Sequence, residues 1–304
     1  MITLYSAPHM RMPSSPSRAP DLLTDRRLSA RFELFSLATF PSVMAQSDQD
    51  FEWVLLVDPA LPDVHRVRLC ELIKRRPRTH VVSHAPSMRP WRDTWIRSRF
   101  GSPDGPLATV LLDDDDALDR KFVAGLKQQI VIQALLESPP YLRIFAFMSP
   151  WQWDLCARPD APLGTGAPWH RRRVDKQLLF CACGLTLLTS GPEYSLSVGA
   201  VSHAAVPDIF SHDVKFRTKA GRDSRRLLRA GARRAGDDWL LWTEATHFCA
   251  LDGLVEPPVI LNHQTNLQAS RITEHKPGSF AVTPDSWPGV GFDWDRVARV
   301  LHVP

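Results

Sequence analysis

The sequence predicts an α/β fold in which a mainly parallel, twisted sheet is flanked by helices. Short apolar runs alternate with stretches of helical periodicity up to about residue 190, as expected for βαβ units. Two of those runs end at aspartates, Asp58 and Asp113, and the second aspartate opens a run of four. Because ligands of such sheets bind outside the carboxyl ends of the strands, we expect both aspartates on one ligand-binding rim.

Apolar runs along the chain define the predicted strands. They cover residues 2–6, 51–58, 80–83, 108–112, 141–147 and 178–189. Residues 53–57 are continuously apolar, which is typical of a parallel strand buried on both faces. This run is therefore expected near the centre of the sheet.

Helices are predicted between these strands. The first is expected to have Ser29 as its N-cap, to place Phe32, Phe35 and Phe40 at roughly helical spacing, and to end near Pro41. The other predicted helices cover residues 63–75, 90–100 and 119–137. They supply the layers that such a sheet needs on its two faces.

Length and composition indicate one globular domain over residues 1–304. The hydrophobic fraction of 44% and the charged fraction of 23% are ordinary, and a chain of this length buries a core without disulfides. Beyond about residue 190 the pattern loosens: residues 224–234 have a helical period, and residues 239–251 fit either a helix or a strand. We expect a first part to about residue 190 and a second part over about 191–304.

Charge, cysteines and hydropathy exclude several classes of protein. The net charge is +4 without a nucleic-acid-binding motif, so no nucleic-acid partner is expected. The five cysteines follow no disulfide framework, which favours reduced thiols in the cytoplasm, with Cys181 and Cys183 on one face of a core strand. The Pro- and Ser-rich start has no apolar signal-peptide stretch, and the apolar run 178–188 is shorter than the roughly 20 residues of a membrane span.

The run of aspartates at residues 113–116 supports the main functional hypothesis. Adjacent ionised carboxylates repel each other, so they either face water or are neutralised by a cation. Mg²⁺ and Mn²⁺ prefer oxygen ligands and are often shared with substrate phosphates. If the strand continued, Asp113 and Asp115 would point to one face and Asp114 and Asp116 to the other. The structural alternative is that these residues cap the following helix.

A phosphoryl-transfer enzyme is an alternative interpretation of the same residues. Phosphatases of the haloacid-dehalogenase type also place an Asp-x-Asp at a strand end, but near the first strand and before Thr or Val. Here the run lies more than a hundred residues into the chain and is followed by Ala117. A metal-held ligand site is the favoured hypothesis.

Several ordered segments resemble a known family. Residues 111–118 (Leu-Leu-Asp-Asp-Asp-Asp-Ala-Leu) resemble the DxD motif of GT-A glycosyltransferases. Residues 31–35, 41–46 and 50–58 resemble, in the same order, the Arg-Phe helix, the Pro-Ser…Gln turn and the Phe-x-Trp strand of the bacterial "putative rhamnosyl transferase" family. Residues 262–266 are similar to its late His-x-x-Asn element. The resemblance is good over about residues 26–125 and patchy afterwards.

The resemblance implies a GT-A-like fold and a metal-dependent glycosyltransferase. Such an enzyme moves a sugar, with rhamnose as one candidate, from a nucleotide-sugar donor to a glycan or lipid-linked acceptor, with Mn²⁺ or Mg²⁺ as cofactor. The first part of the chain is then the nucleotide-sugar-binding part and the second the acceptor side. Residues 7–11 depart from the family's Thr-Arg-Phe-Asn-like turn. This departure leaves a non-catalytic binding protein of the same fold as an alternative.

The resemblance also implies roles for individual residues. The metal ligands are assigned, Asp115 first, to Asp113, Asp115, Asp116 and His263, and the nucleotide-sugar contacts to Asp58, Asp113 and Arg31. Asp113 is expected to contact the ribose or the metal, and Asp116 to assist or to cap a helix. For Asp58 a simple turn, and for His263 a structural histidine, are the alternatives.

The general base of an inverting transfer is expected to be a carboxylate near the acceptor hydroxyl. The candidates by position are Asp208, Asp213 and Asp238, of which Asp213 and Asp238 are preferred as catalytic residues. Asp238 precedes two tryptophans, Trp239 and Trp242, that are suited to form a sugar platform. A surface or capping role is the alternative for each aspartate.

Other aromatic and basic residues have open roles. Trp151 and Trp153 flank a polar residue in a predicted strand, where sugar stacking and core packing are alternatives. The arginines before the acidic run are candidates to pair with phosphate; they are Arg89, Arg92, Arg97 and Arg99. The Arg-rich stretch 225–234 suggests peripheral contact with the anionic inner face of a membrane, with a solvated helix face as the alternative.

Overall fold

Two sheets and six helices make up the part of the chain that the computed structural model describes, which is residues 1–5, 23–84, 89–101, 106–136, 142–147, 150–155, 165–168, 182–189, 197–198, 246–251, 253–262, 280–282 and 285–301. The strands are β1 (Ile2–Tyr5), β2 (Trp53–Val57), β3 (Thr79–Ser83), β4 (Leu107–Val110), β5 (Leu142–Ala146), β6 (Trp151–Asp154), β7 (Thr165–Pro168), β8 (Thr186–Thr189), β9 (Thr246–Ala250), β10 (Val259–Asn262) and β11 (Phe280–Ala281). The helices are α1 (Asp25–Leu34), α2 (Phe40–Met44), α3 (Asp63–Ile73), α4 (Arg89–Phe100), α5 (Phe122–Leu136) and α6 (Trp294–Leu301).

The larger sheet is a mixed sheet with a parallel end. Strands β3, β2 and β1 are parallel neighbours, and a parallel bridge from Ile2 to Leu111 joins β1 to the chain directly after β4. The Leu112 N–H donates to the Ile2 carbonyl at 3.0 Å across this junction. The strand order is therefore β3-β2-β1-β4-β8-β5-β9.

Strand β8 is the antiparallel strand of this otherwise parallel sheet. It runs antiparallel to both β4 and β5, whereas β5 and β9 are parallel. The apolar pattern of a buried strand is the same for either direction, because burial on both faces leaves no alternation to distinguish them. The observed fold is a mixed α/β structure with a small parallel sheet.

Both faces of the larger sheet are covered at β2. Along β2, Trp53, Leu55 and Val57 pack with α1, α2, α3 and α5 on one face. Val54 and Leu56 pack with residues of α4 on the opposite face. All five β2 residues are buried, which explains the continuous apolar run in the sequence.

The first helical segment corrects two predictions. Helix α1 begins after Thr24, so Ser29 lies inside the helix and is not its N-cap. The chain does not end its helix at Pro41, because a π-helical turn at Phe35–Thr39 connects α1 to α2, with the Phe40 N–H bonded to the Phe35 carbonyl. Pro41 then falls in the first turn of α2, directly after the π-helical turn.

The smaller sheet has the order β10-β6-β7-β11. Strand β6 confirms the strand predicted around Trp151 and Trp153, and β9 decides the open choice at residues 246–250 in favour of a strand. The sequence does not reveal β7 and β11, because β7 contains Gly and Pro and β11 has two residues. Within the described residues, no helix combines the length and the hydropathy that crossing a membrane requires.

Candidate functional site

The acidic loop, residues 112–119, leaves the larger sheet between β1 and β4. After the bridge at Leu111 the chain turns, and the Asp116 N–H points back to the Asp113 carbonyl at 3.4 Å. This turn ends the alternation of a strand, so the predicted division of the four aspartates between two faces is wrong. One ligand oxygen from each of Asp113, Asp115 and Asp116 lies within 4.8 Å of the others, while Asp114 pairs with α1.

Arg31 of α1 supplies the positive charge that the loop contacts directly. Its Nη2 and Nε bond the two carboxylate oxygens of Asp114, Nε at 3.3 Å. Its Nη1 donates to Asp115 Oδ2 at 2.7 Å. The Asp114 side chain is 1% exposed and that of Arg31 13%, so water screens this ion pair poorly.

The pKa values of two aspartates are raised. Burial, and next the charge of Asp115, raise the pKa of Asp113 to about 6, while the charge of Arg31 lowers it. The Asp113 residue is nevertheless partly exposed. Burial, and next the charges of Asp115 and Asp113, raise the pKa of Asp116 well above its ordinary value. The charged forms of these two carboxyl groups are therefore unfavourable unless a positive charge lies nearby.

Strand β10 holds the loop on its C-terminal side. Ala117 and Val259 exchange two backbone hydrogen bonds of 2.9 Å, and the Leu261 N–H donates to Asp116 Oδ1 at 3.2 Å. Asp116 is thus bonded to β10 rather than to a helix N-terminus, since α5 begins six residues later at Phe122. The helix-capping role expected for Asp116 is wrong.

Gln46 fixes the far end of the loop, and sequence reasoning assigned it no role. Its buried amide nitrogen donates to the Ser42 and Asp119 carbonyls at 2.9 and 2.7 Å, and its oxygen accepts from the Val123 N–H at 3.0 Å. One side chain therefore joins α2, the acidic loop and the first turn of α5. Its only sequence signal is its place in the Pro-Ser…Gln segment of the family resemblance.

A segment before α6 closes over the same end of the loop. Asp119 forms an antiparallel bridge with Val290, and the Arg120 N–H donates to the Gly289 carbonyl at 2.7 Å. A side chain on Gly291 would meet the Ala45 Cβ at 2.4 Å and the Pro41 carbonyl at 2.8 Å. This close approach explains why the position is occupied by glycine.

Asp58 lies on the predicted rim, at the carboxyl end of β2. The parallel pairing from β2 through β1 to Leu111 places it at the same sheet edge as Asp113, as expected. Its carboxylate Oδ1 accepts the Ala60 N–H at 2.8 Å, which is the bond of a strand-ending turn. Asp58 does not belong to the described group of three carboxylates.

Several predicted site residues lie outside the described residues. They are the base candidates Asp208, Asp213 and Asp238, the late His263, the tryptophans Trp239 and Trp242, and the basic stretch 225–234. The same holds for the side chains of Arg89 and Arg92, whereas Arg97 is 8% exposed and Arg99 lies beside the ring of Phe100. The roles of the undescribed residues stay predictions.

Trp153 packs in the core. It is 1% exposed, and its ring lies 5.6, 5.3 and 5.5 Å from the rings of Trp287, Phe292 and Trp294. Sugar stacking requires an accessible ring face, so the core-packing alternative is confirmed for Trp153. Cys183 is also buried, but it lies in the turn before β8 and not on the predicted strand face.

The three carboxylates fit a hard divalent cation. Oxygens around Mg²⁺ or Mn²⁺ at about 2.1 Å lie about 3 Å apart when adjacent and about 4.2 Å apart when opposite. Separations of up to 4.8 Å need to close only slightly, by small rotations of side chains. A donor set of oxygens alone, without cysteine or described histidine, favours Mg²⁺, Mn²⁺ or Ca²⁺ over zinc.

One comparison with known proteins matches the N-terminal part of the chain to a family. Residues 9–144 match the sequence model of the family described as "Putative rhamnosyl transferase", which confirms the resemblance found in the sequence. The matched segment contains α1, Gln46 and the acidic loop.

Beyond the family, similarity is distant. No curated protein matches the chain. The apo structure of the WbbM bifunctional glycosyltransferase is similar at 12% sequence identity and a TM-score of 0.32. The alignment covers 74% of this chain and 37% of that protein, so the chain spans little more than a third of its length.

Proposed function

We propose that this protein is a divalent-cation-dependent glycosyltransferase with a GT-A-like fold, which uses a nucleotide-sugar donor and a glycan or lipid-linked acceptor. One observation carries the proposal: the convergence of Asp113, Asp115 and Asp116 at the sheet edge between β1 and β4. The match of residues 9–144 to a family of rhamnosyl transferases supports the reaction class and makes rhamnose the first sugar to test.

The strand order supports a nucleotide at this edge. In β3-β2-β1-β4 the chain winds in one direction from β1 to β3 and in the other from β1 to β4, which creates a topological switch point between β1 and β4. Open α/β sheets bind their ligands in the crevice at the carboxyl ends of the strands flanking such a point. The acidic loop begins in that position.

The carboxylates would hold the cation, and the cation would supply Lewis-acid stabilisation of the charge on the leaving nucleoside diphosphate. Asp115 is the first ligand, with Asp113 and Asp116 as further ligands and Asp113 alternatively on the ribose. Buried carboxylates with raised pKa values favour binding of a positive charge, because the cation offsets their mutual repulsion.

Other residues are assigned to the donor and the acceptor. Arg31 and Asp58 are proposed to contact the nucleotide sugar, and His263 to join the metal ligands. Asp238 or Asp213 is proposed to accept the proton of the acceptor hydroxyl. The part after about residue 190 would form the acceptor side.

Calorimetric titration with Mn²⁺ and a panel of nucleoside diphosphates tests the proposal. Wild-type protein is expected to bind a nucleotide only with Mn²⁺, and Asp115→Asn is expected to lose this binding. A turnover assay with the matching sugar nucleotide should show a loss of about a hundredfold or more. The control is Asp63→Asn, an exposed aspartate in the first turn of α3, which should behave as wild type.

Two results would refute the enzyme. Equal Mn²⁺-dependent nucleotide binding by wild type and Asp115→Asn would show that the acidic loop does not hold the cation and the nucleotide. Nucleotide binding without any metal-dependent transfer or hydrolysis of a sugar nucleotide would instead identify a binding protein of the same fold.

A further inference from the structure

Arg31 lies next to the place where a cation would bind at the acidic loop, and it neutralises a carboxylate that the cation would use. It contacts both oxygens of Asp114 and Oδ2 of Asp115. Asp115 is also one of the three carboxylates whose ligand oxygens lie within 4.8 Å of one another. The guanidinium is therefore in direct contact with a member of the proposed metal site.

A guanidinium group carries a positive charge in proteins. A divalent ion bound by Asp115 would lie a few ångströms from this charge, in a place where the Arg31 side chain is 13% exposed and the Asp115 side chain 7%. Screening by water and salt is weak there, so the two positive charges repel each other strongly.

Both charges neutralise the same carboxylates. Without an ion, Arg31 neutralises Asp114 and Asp115, which permits four consecutive aspartates to lie in one largely buried turn. With an ion, either the Arg31–Asp115 bond is lost or the repulsion has to be offset. A diphosphate would resolve either case. Its negative oxygens balance the added charge, and they are bidentate partners for a guanidinium that has left Asp115.

We infer that Arg31 is the built-in counter-ion of the acidic loop, and that it competes with the divalent cation so that the ion binds tightly only together with a diphosphate. This inference rests on the proposed function and deepens it. Because linkage is reciprocal, the diphosphate is held tightly only with the ion, by the same factor. Towards the ion, Arg31 acts through Asp115 as a positioning residue, whereas its proposed contact with the nucleotide sugar is direct.

The test measures Mn²⁺ affinity of the full chain by calorimetry, first alone and then at fixed free Mn²⁺ with inorganic pyrophosphate. Arg31→Met removes the charge and keeps most of the apolar stem, whereas Arg31→Lys keeps the charge. Arg31→Met is expected to bind Mn²⁺ alone about tenfold more tightly than wild type, or about 1.4 kcal/mol. It should also gain less from pyrophosphate, and Arg31→Lys should stay near wild type.

Arg78→Met is the matched control. Arg78 also bridges two carboxylates, at 2.5 Å to Asp50 and 2.8 Å to Glu52, but it lies beside β3 and contacts none of the loop aspartates. Its loss should leave Mn²⁺ affinity unchanged. A similar gain in both Met variants would show a general effect of net charge and would overturn the inference.

Two further outcomes decide the remaining cases. Equal or weaker Mn²⁺ binding by Arg31→Met, with nucleotide binding intact in wild type, overturns the inference and leaves the proposed function standing. Tighter Mn²⁺ binding by Arg31→Met, with no nucleotide bound by either protein, supports the competition and refutes the donor site.

Folding gives an independent readout. If Arg31→Met is unfolded without an ion, Mn²⁺ should restore the folded state, because the ion then replaces the lost counter-charge. Circular dichroism with and without Mn²⁺ measures this. Failure to fold under both conditions would overturn the inference, since the ion and the arginine would not be interchangeable.

Discussion

The N-terminal and C-terminal neighbours of the acidic loop hold it by different means. The N-terminal side contributes polar side chains: Arg31 of α1 neutralises two aspartates, and Gln46, just after α2, bonds the loop and the start of α5. The C-terminal side contributes backbone bridges from Val259 and Val290, backed by a cluster of aromatic rings around Trp153.

The two sides of the loop therefore control different properties of it. The polar contacts decide how the carboxylates are neutralised, while the bridges and rings decide where the loop lies. Damage on the C-terminal side should therefore reduce the stability of the fold most. Damage on the N-terminal side should alter the loop with a smaller loss of stability.

The largest effect is expected for Trp153→Ala on the C-terminal side. The variant removes a nearly fully buried ring that contacts three other aromatic rings, so the free energy of unfolding should fall by about 3–5 kcal/mol. Urea unfolding measures the loss. Trp151→Ala, at a half-buried ring two residues away, should lose clearly less. Equal losses would show that the cluster is not the main support of the loop.

Gly291→Ala should cost about 1–3 kcal/mol of unfolding free energy. The added methyl would overlap the Ala45 Cβ and the Pro41 carbonyl, neither of which can rotate away. The control is Gly125→Ala in α5, where the methyl meets only the Val255 side chain, at 3.1 Å, and helix propensity offsets part of the strain. Thermal unfolding of both variants checks this, and an unchanged midpoint for Gly291→Ala would contradict the close approach.

Gln46→Ala is expected to cost about 1–3 kcal/mol, because it leaves the buried Asp119 carbonyl and Val123 N–H without the Gln46 amide. Gln49→Ala is the control, since Gln49 is exposed and water can replace its bonds to three backbone carbonyls, although it also accepts a hydrogen bond from Arg76 Nε. Denaturant titration compares the two. A loss as large in Gln49→Ala would mean that burial is not the cause.

The smallest effect concerns pH. The Lys127 hydrogen bond, at 2.9 Å, is the main cause that lowers the pKa of Asp48 below its ordinary 3.8 in the folded protein. A lowered folded pKa adds stability above the unfolded pKa, and this stability is lost as pH falls through the folded pKa.

Lys127→Met should therefore be less stable than wild type near neutral pH by less than about 1 kcal/mol, as for other half-exposed pairs. The difference should decrease as the pH falls below the ordinary pKa of an aspartate and on through the lowered pKa of Asp48. Unfolding midpoints at several pH values measure it, with the exposed Lys74→Met as control. A difference that grows towards low pH would have the wrong sign and reject the explanation.

Much of the N-terminal half was predictable from the sequence. The runs that became β1 to β5 and the helices α3 to α5 were recognised, because short apolar runs alternate along the chain with longer segments of different composition. The start of α1 and the continuation of the helical segment beyond Pro41 were not predicted. The π-helical turn that precedes the proline has no sequence signature.

For the candidate site, the sequence indicated the acidic run and its place at a strand end, and the prediction of Asp113, Asp115 and Asp116 as a metal-binding set agrees with their convergence. It gave the wrong geometry, because a strand continued through residue 116 would separate Asp116 from Asp115. The pairing of Arg31 with Asp114 joins residues 83 positions apart, and no local pattern reports such a contact.

By itself, the sequence determined which residues carry charge, which runs are buried, and that four carboxylates follow a central strand. Only the tertiary structure decided that Asp113, Asp115 and Asp116 converge and that Arg31 pairs with Asp114 and Asp115. It also decided that β10 and the segment before α6 close the loop. The physical reason is that periodicity and composition act over a few residues, whereas charge compensation and backbone bridging depend on segments that folding brings together.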